Sequence, residues 1–378
     1  METILTNARL VLDDSTIVGT LVHRDGVIRE VAEGRSAAAG AIDLDGDILA
    51  PGLIEVHTDN LDKHFCPRPG VIWPNPLAAA LTHDAQMAAA GVTTVYDAVC
   101  AGGYDGGQDY RRAIFHSMIE AVEQGVAAGV FRIDHRIHIR CELTDPTLTR
   151  ELEPRLASPL LALVSLMDHT PGQRQWRDLD DLKRFMASNG LTGAAADDLL
   201  RKRMEAGRAD AAKNRPKVVA MARARGAPLA SHDDTTVEHV REARAAGCVI
   251  SEFPTTLDAA RAARAEGLAT VAGAPNVVRG GSHSGGVSAR ELADEGLLDA
   301  LSSDYVPSSL LQAVERLAAS ETPLHEAFAF ATSRPAAMLG LADRGRLASG
   351  LRADLIRLRV VEGAPVLRET LVEGRRVL

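Results

Sequence analysis

The sequence is poor in aromatic residues, with only 7 Phe, 4 Tyr and 2 Trp. Stacking platforms for nucleic-acid bases are therefore not expected, and the core must be built mostly from Ala, Leu and Val, as helices packed on a parallel sheet would supply. Cysteine is also scarce. Cys66, Cys100, Cys141 and Cys248 are too scattered for a disulfide framework and none sits in a CxxC pair, so reduced thiols are expected. No apolar run approaches the ~18 residues of a membrane span, and Met1 to Leu5 has no basic or apolar leader pattern. A soluble, cytoplasmic chain with no membrane partner is the expectation. Positive charge is in deficit, with 42 Lys and Arg against 51 Asp and Glu and a net charge of −9. That balance argues against nucleic acid as the main partner.

What is present is one construction used repeatedly. An Ala-rich or polar helical run ends in glycine, and a short apolar run follows almost at once: Gly91 before Val92 to Val99, Gly226 before Pro228 to Ser231, Gly247 before Cys248 to Phe253, Gly267 before Leu268 to Ala272, and Gly296 before Leu297 to Ser303. Glycine just past a helix is the usual left-handed cap, and an apolar run without polar alternation is a strand buried on both faces. Gly52 to Asp59, Arg136 to Glu142 and Leu161 to His169 are three further strand candidates, which brings the total to eight. Repeated helix-then-strand units imply a parallel sheet, and eight of them fit an α/β fold of the (β/α)8 TIM-like barrel type over residues 52–340. A charged, Ala-rich helical insertion is expected near 173–217. Residues 1–51 and 341–378 carry short apolar runs broken by turn residues, and are expected to form one small β-sandwich domain beside the barrel.

In such a barrel the C-terminal ends of the strands open into the active-site mouth. Here those ends carry His57 and Asp59 (first strand), Glu142 (third), His169 (fourth), His232 (fifth) and Asp304 (eighth). Residues two apart on a strand face the same side, so His57 and Asp59 can grip one cation. Glu142, next to Cys141, reads equally as a buried structural carboxylate, and His169 and His232 as capping residues, but coincidence is a poor account of all six. Imidazole and carboxylate donors without paired thiolates suit Zn, Mn, Ni or Fe rather than a structural zinc site. After the seventh strand comes Arg279-Gly280-Gly281-Ser282-His283-Ser284-Gly285-Gly286. Its exposed backbone N–H groups, the hydroxyls of Ser282 and Ser284 and the forked Arg279 donor could hold phosphate, although a flexible Gly-Ser turn is the competing reading. Lys63, Arg140, Arg174 and Arg177 lie within or just after predicted strands. They could meet further anionic oxygens, or serve as surface charges or as partners of acids such as Asp168 and Asp178.

Three segments carry a family resemblance. Leu49 to His57, LAPGLIEVH, resembles the first-strand signature of the amidohydrolase superfamily; Gly345 to Ile356 resembles its returning segment, and Thr332 to Gly340 its T-x-N-P-A-x-x-L-G helix. Two departures matter: the usual HxH is His57-Thr58-Asp59, and Glu252 stands where a histidine normally ends the sixth strand. Both point to one branch, the triphosphate diphosphatases of the carbon–phosphorus lyase pathway, whose H-T-D-N-x-x-K-H run is matched by His57 to His64. Met167 to Gln175, Leu229 to Asp234 and Asn276 to Gly285 also look like that branch.

The resemblance implies a phosphorylated small-molecule substrate, α-D-ribose 1-methylphosphonate 5-triphosphate, cleaved to the 5-phosphate and pyrophosphate. It further implies one or two divalent ions, drawn from Zn, Mn, Ni, Fe and Mg, held by His57, Asp59, Glu142, His169 and His232. Asp304 would then be the general base, touching a metal as well, and His283 or His64 the group that protonates the leaving group. A C–N hydrolase or deaminase and a metal-free assembly protein of the same superfamily are the rival readings, and homo-oligomerisation is left open.

Overall fold

The computed structural model describes residues 2–103, 109–174, 177–188, 190–282, 285–320 and 322–378. Sixteen strands follow in chain order: β1 (Glu2–Val11), β2 (Thr16–Arg24), β3 (Val27–Glu33), β4 (Ile42–Asp43), β5 (Ile48–Pro51), β6 (Leu53–Thr58), β7 (Val92–Ala101), β8 (Asp134–Glu142), β9 (Leu161–Met167), β10 (Leu229–His232), β11 (Cys248–Glu252), β12 (Ala269–Gly273), β13 (Ala300–Ser302), β14 (Leu355–Val361), β15 (Ala364–Val372) and β16 (Arg375–Arg376).

Strands β6 to β13 pair in sequence order as one parallel eight-stranded sheet, the barrel expected from the repeated units. The seam between β13 and β6 is closed at the mouth by a parallel bridge between Thr58 and Asp304, where the Thr58 hydroxyl donates to the Asp304 carbonyl at 2.8 Å. Lower down, residues 330 and 331 fill the seam, their carbonyls accepting from Leu301 and Ile54. Every residue of β6 and β7 is buried, which is the reason those runs lack polar alternation. Ile54, Val56, Tyr96, Leu163, Ala230, Ile250 and Val271 fill the barrel interior, while a larger shell of Ala, Leu and Val packs the sheet against its helices. The anticipated glycine caps are present; Gly247 (φ 86°) ends the helix Val237–Ala246 in the left-handed region, its N–H returning to the carbonyls of Ala243 and Arg244.

The two ends of the chain come together in one mixed sheet, in which β5 pairs parallel with β1 and antiparallel with β14. Leu5, Leu10, Leu21, Ile28, Leu49, Leu355 and Leu371 share a core of their own. The buried Asp47 carboxylate joins the ends electrostatically, accepting from Arg357 at 2.7 Å and Arg359 at 2.6 Å.

Between β9 and β10 the chain forms two helices, Leu179–Ser188 and Gly193–Ala224, the second 32 residues long. This long helix crosses close over the mouth. A Cβ built on Gly207 would lie 3.3 Å from the Thr170 hydroxyl and 3.4 Å from a Thr144 methyl. Two turns further on, the buried Asn214 amide donates to the carbonyls of Leu143 at 2.9 Å and Asp145 at 2.8 Å. Both are loop carbonyls just after β8, and this amide ties that loop to the helix. Among the described residues, no helix is long and apolar enough to cross a membrane.

Candidate active site

The residues at the strand ends are organised around two buried carboxylates. Glu252, ending β11, is fully buried. Its oxygens lie 3.0 Å from His57 Nδ1, 3.3 Å from His232 Nδ1 and 3.6 Å from His138 Nε2. Burial opposes its ionisation, but His57 and His138 beside it hold the carboxyl well below the usual range. The Ser165 hydroxyl donates to Glu252 at 2.7 Å. Ser165 has no second proton to offer, so it must accept from His138 Nε2–H. His138 Nδ1 is then a lone pair, and it is buried without a partner. Burial pushes the His138 pKa down to about 3, so the ring is neutral.

Glu142, ending β8, plays the same part for His169. It accepts from His169 Nδ1 and, at 2.6 Å, from the Thr144 hydroxyl. His169 Nε2 and His232 Nε2 then converge on one oxygen, Asp233 Oδ2, at 3.5 and 3.6 Å. That oxygen is buried and accepts no hydrogen bond. Burial favours a neutral His169, but Glu142 and then Asp233 outweigh it and raise the pKa to about 10.

Asp59 and Asp304 sit across the β13–β6 seam. Asp59 Oδ2 is 3.5 Å from Arg140 and 3.9 Å from Arg111, whereas its Oδ1 is buried without a partner. Burial, followed by repulsion from Asp59, pushes the Asp304 carboxyl up to about 7, against the pull of Arg140.

These residues suit a divalent cation. The Nε2 atoms of His169 and His232 and one Asp233 oxygen lie within 4.8 Å of one another. Each ring is backed at Nδ1 by a carboxylate, the arrangement that orients metal-binding imidazoles. An unpartnered buried carboxylate oxygen, and a carboxyl whose charge is disfavoured by burial and by a second carboxylate beside it, are what a cation would relieve. In this arrangement Glu142 stands behind His169, and Asp233, which follows His232 directly, faces the two imidazoles.

A cavity of about 1010 Å³ opens over this centre. It is lined by His57, Asp59, Arg140, Glu142, His169, His232, Arg279, Ser282 and Asp304, which brings together most of the residues singled out in the sequence. Others lie elsewhere. Arg174 is only 3 % exposed and does not line the cavity; its guanidinium donates to the His232 carbonyl at 2.9 Å and to Asp234 at 2.7 Å, so it braces the loop after β10. Arg177 donates to the Gly285 carbonyl at 3.2 Å, and Lys63 to the Tyr305 carbonyl; neither lines the cavity. His64 is outside it as well, 2.8 Å from Gln86. His283 and Ser284 fall outside the described residues.

His138, in the group around Glu252, and several cations of the cavity wall escaped the sequence reading. His138, Arg140 and Glu142 alternate along β8, and the two-residue period that paired His57 with Asp59 would have found His138. Arg111, Arg112, Arg184, Lys202 and Arg203 also line the cavity, but they sit on helices with no local signal of direction.

A third histidine–carboxylate group lies outside the barrel wall and is closed on itself. Asp97 of β7 is 2.7 Å from His83 Nε2 and 2.8 Å from His135 Nδ1. Asp84 meets the other His135 nitrogen at 3.4 Å and Arg132 at 2.9 Å. His83 Nδ1 accepts from Asn60 at 3.1 Å, so the network reaches the residue that follows Asp59.

Comparison with known proteins agrees with this architecture. The chain is 45 % identical over 357 residues to the alpha-D-ribose 1-methylphosphonate 5-triphosphate diphosphatase of Escherichia coli (strain K12), covering 93 % of this chain and 94 % of that protein. Among solved structures, the fold is similar to 5-methylcytosine deaminase from Klebsiella pneumoniae (TM-score 0.68, 16 % identity, 100 % of this chain and 97 % of that one). It is also similar to N-acetyl-D-glucosamine-6-phosphate deacetylase from Mycobacterium smegmatis (TM-score 0.65, 17 % identity, 100 % of both chains). With residues 48–377 matching the Amidohydrolase family, and with the barrel, the seam and the histidine–carboxylate mouth in place, the chain belongs to the amidohydrolase family of hydrolases.

Proposed function

We propose that the protein hydrolyses α-D-ribose 1-methylphosphonate 5-triphosphate to the 5-phosphate and pyrophosphate. The observation that carries this reading is the cavity wall: Arg140 and Arg279, together with further cations from the surrounding helices, face a histidine–carboxylate centre. Hydrolysis of a neutral amide has no use for that much positive charge. The strong similarity to the named diphosphatase supports the same substrate.

His169, His232 and Asp233 would hold a divalent ion, with His57, Asp59 and Asp304 placed for the same ion or a second. When bound, such an ion makes hydroxide available near neutral pH and shields phosphate charge. Glu142 and Glu252 keep the imidazoles turned with Nε2 forward. The Asp304 carboxylate, across the seam from Asp59, accepts the proton of the attacking water as general base. The water oxygen bonds to the phosphorus nearest the ribose, and the bond from that phosphorus to the bridging oxygen breaks. The electron pair leaves with pyrophosphate. Arg140 balances the charge that shifts onto the non-bridging and departing oxygens, the main catalytic task in phosphoryl transfer, and Arg279 binds an anionic end of the substrate.

The test is product analysis on ribose-based triphosphates, using metal-stripped protein with Mn, Ni, Zn or Mg added back and cyclic amides as control substrates. Release of pyrophosphate without orthophosphate is expected. Orthophosphate release, or turnover of the amides alone, would refute the proposal.

A further inference from the structure

Apart from Arg140 and Arg111, which lie beside Asp59, the cations of the cavity lie on two walls. Arg279 and Ser282 come from the loop after β12. Arg184, Lys202 and Arg203 come from the two helices between β9 and β10, and Arg112 from the helix Asp109–Ala127. Arg203 and Gly207 are one helical turn apart and so share a face. Gly207 is the point where that helix runs against Thr170 and Thr144, in the loops just after the strands that present His169 and Glu142. Asn214 clamps the same helix to the backbone after β8. Arg203 is therefore held toward the metal-capable centre by the fold. Lys202 beside it pairs with Asp198 at 2.8 Å, an exposed contact that an anionic ligand can replace at little cost.

We infer that this helical cover supplies a second anion site, distinct from the Arg279 loop, that receives the departing pyrophosphate end of the substrate. The inference rests on the function proposed above. If the scissile phosphorus sits at the centre between the walls, the substrate presents one anionic group to each: a methylphosphonate with a single charge, and a pyrophosphate unit with more. The cover brings Arg184, Lys202, Arg203 and Arg112 to the cavity together with the acids Asp145 and Asp210, against Arg279 alone on the opposite loop. Arg112 lies 3.9 Å from Asp145 and 3.5 Å from Glu151, contacts that an anionic ligand would compete with, and the wall with the larger excess of cations over acids takes the more highly charged end. Ala206, between Arg203 and Asp210 on the same helix, also lines the cavity.

The test compares inhibition of the metal-loaded enzyme by inorganic pyrophosphate and by methylphosphonate, at fixed total metal so that chelation is equal in every sample. In the double variant K202A/R203A the inhibition constant for pyrophosphate should rise at least tenfold, with that for methylphosphonate changed less than twofold. R279A should show the opposite preference. Unchanged pyrophosphate inhibition in K202A/R203A, or its loss in R279A alone, overturns the inference. Failure of the functional reading looks different, since the wild type would release no pyrophosphate from the ribose triphosphate. Direct calorimetric titration of wild type and K202A/R203A with pyrophosphate then still decides the site: equal affinities overturn it, and a tenfold difference supports it.

Discussion

The Asp97 group offers a measurable consequence away from the chemistry. His135 is buried between Asp97 and Asp84. Burial alone would depress its pKa, but Asp97, followed by Asp84, raises it to about 9 from 6.5. Asp97, which burial would raise, is brought down from 3.8 to about 2 by His135 and His83. At ~1.4 kcal/mol per unit, the His135 shift corresponds to about 3 kcal/mol of folding stability. The Asp97 shift is the same interaction seen from its partner, so the two are not added. A histidine raised in the folded state contributes fully below pH 6.5, and that stability is lost as pH climbs through about 9. A depressed aspartate contributes above pH 3.8 and is lost as pH falls through about 2. The pair is therefore at full strength between about pH 4 and 6.5. Asp97→Asn keeps the shape and removes the charge, and should cost about 3 kcal/mol at pH 6, in line with breaking a buried pair. Urea denaturation of wild type and variant from pH 5 to 9 measures this. The stability gap should narrow by up to about 3 kcal/mol across the range, because the wild type loses the whole contribution and the variant only the share that Asp84 supplies. Two curves that stay parallel would refute the reasoning.

Three further outcomes concern the mouth. Asp304→Asn should leave metal content near that of the wild type while lowering kcat by about two to four orders of magnitude, as expected for loss of a general base; wild-type turnover would remove the assignment. Arg279→Ala should raise KM for a triphosphate substrate with little change in kcat, and an unchanged KM would discount the phosphate role of that loop. Metal uptake should release protons and weaken as pH falls, because His169, raised to about 10, must give up a proton to accept a cation. Titrating stripped protein with metal in weakly buffered solution at pH 7 reads this directly, and no acidification would count against His169 as a ligand.

Much of the barrel was legible because its signals are local. Helix caps, two-faced burial and the alternation of side chains along a strand all act within a few residues, and they placed His57, Asp59, Glu142, His169, His232 and Asp304 at strand ends. Arg174 shows the limit of that logic. It lies just after a strand, as a substrate-binding arginine would, but Asp234 lies 60 residues further along the chain, and only folding brings that carboxylate to the guanidinium. Asp233 was passed over because an Asp after a strand has no special local mark. What distinguishes it is that two imidazoles from different strands point at the same oxygen.

The sequence by itself determined the barrel and the strand-end histidines and carboxylates, because they depend on short-range patterning of strands, helices and turns, and its motifs carried the family resemblance. Tertiary structure decided which of those side chains converge with others and which stand behind them. Glu252 shows why: it backs His57 from 195 positions away along the chain, and no local pattern carries that distance. The same holds for the positive wall above the mouth. Lys202 and Arg203 are ordinary helical charges in sequence, and they become part of the cavity because Gly207 and Asn214 press their helix against the loops that follow β8 and β9.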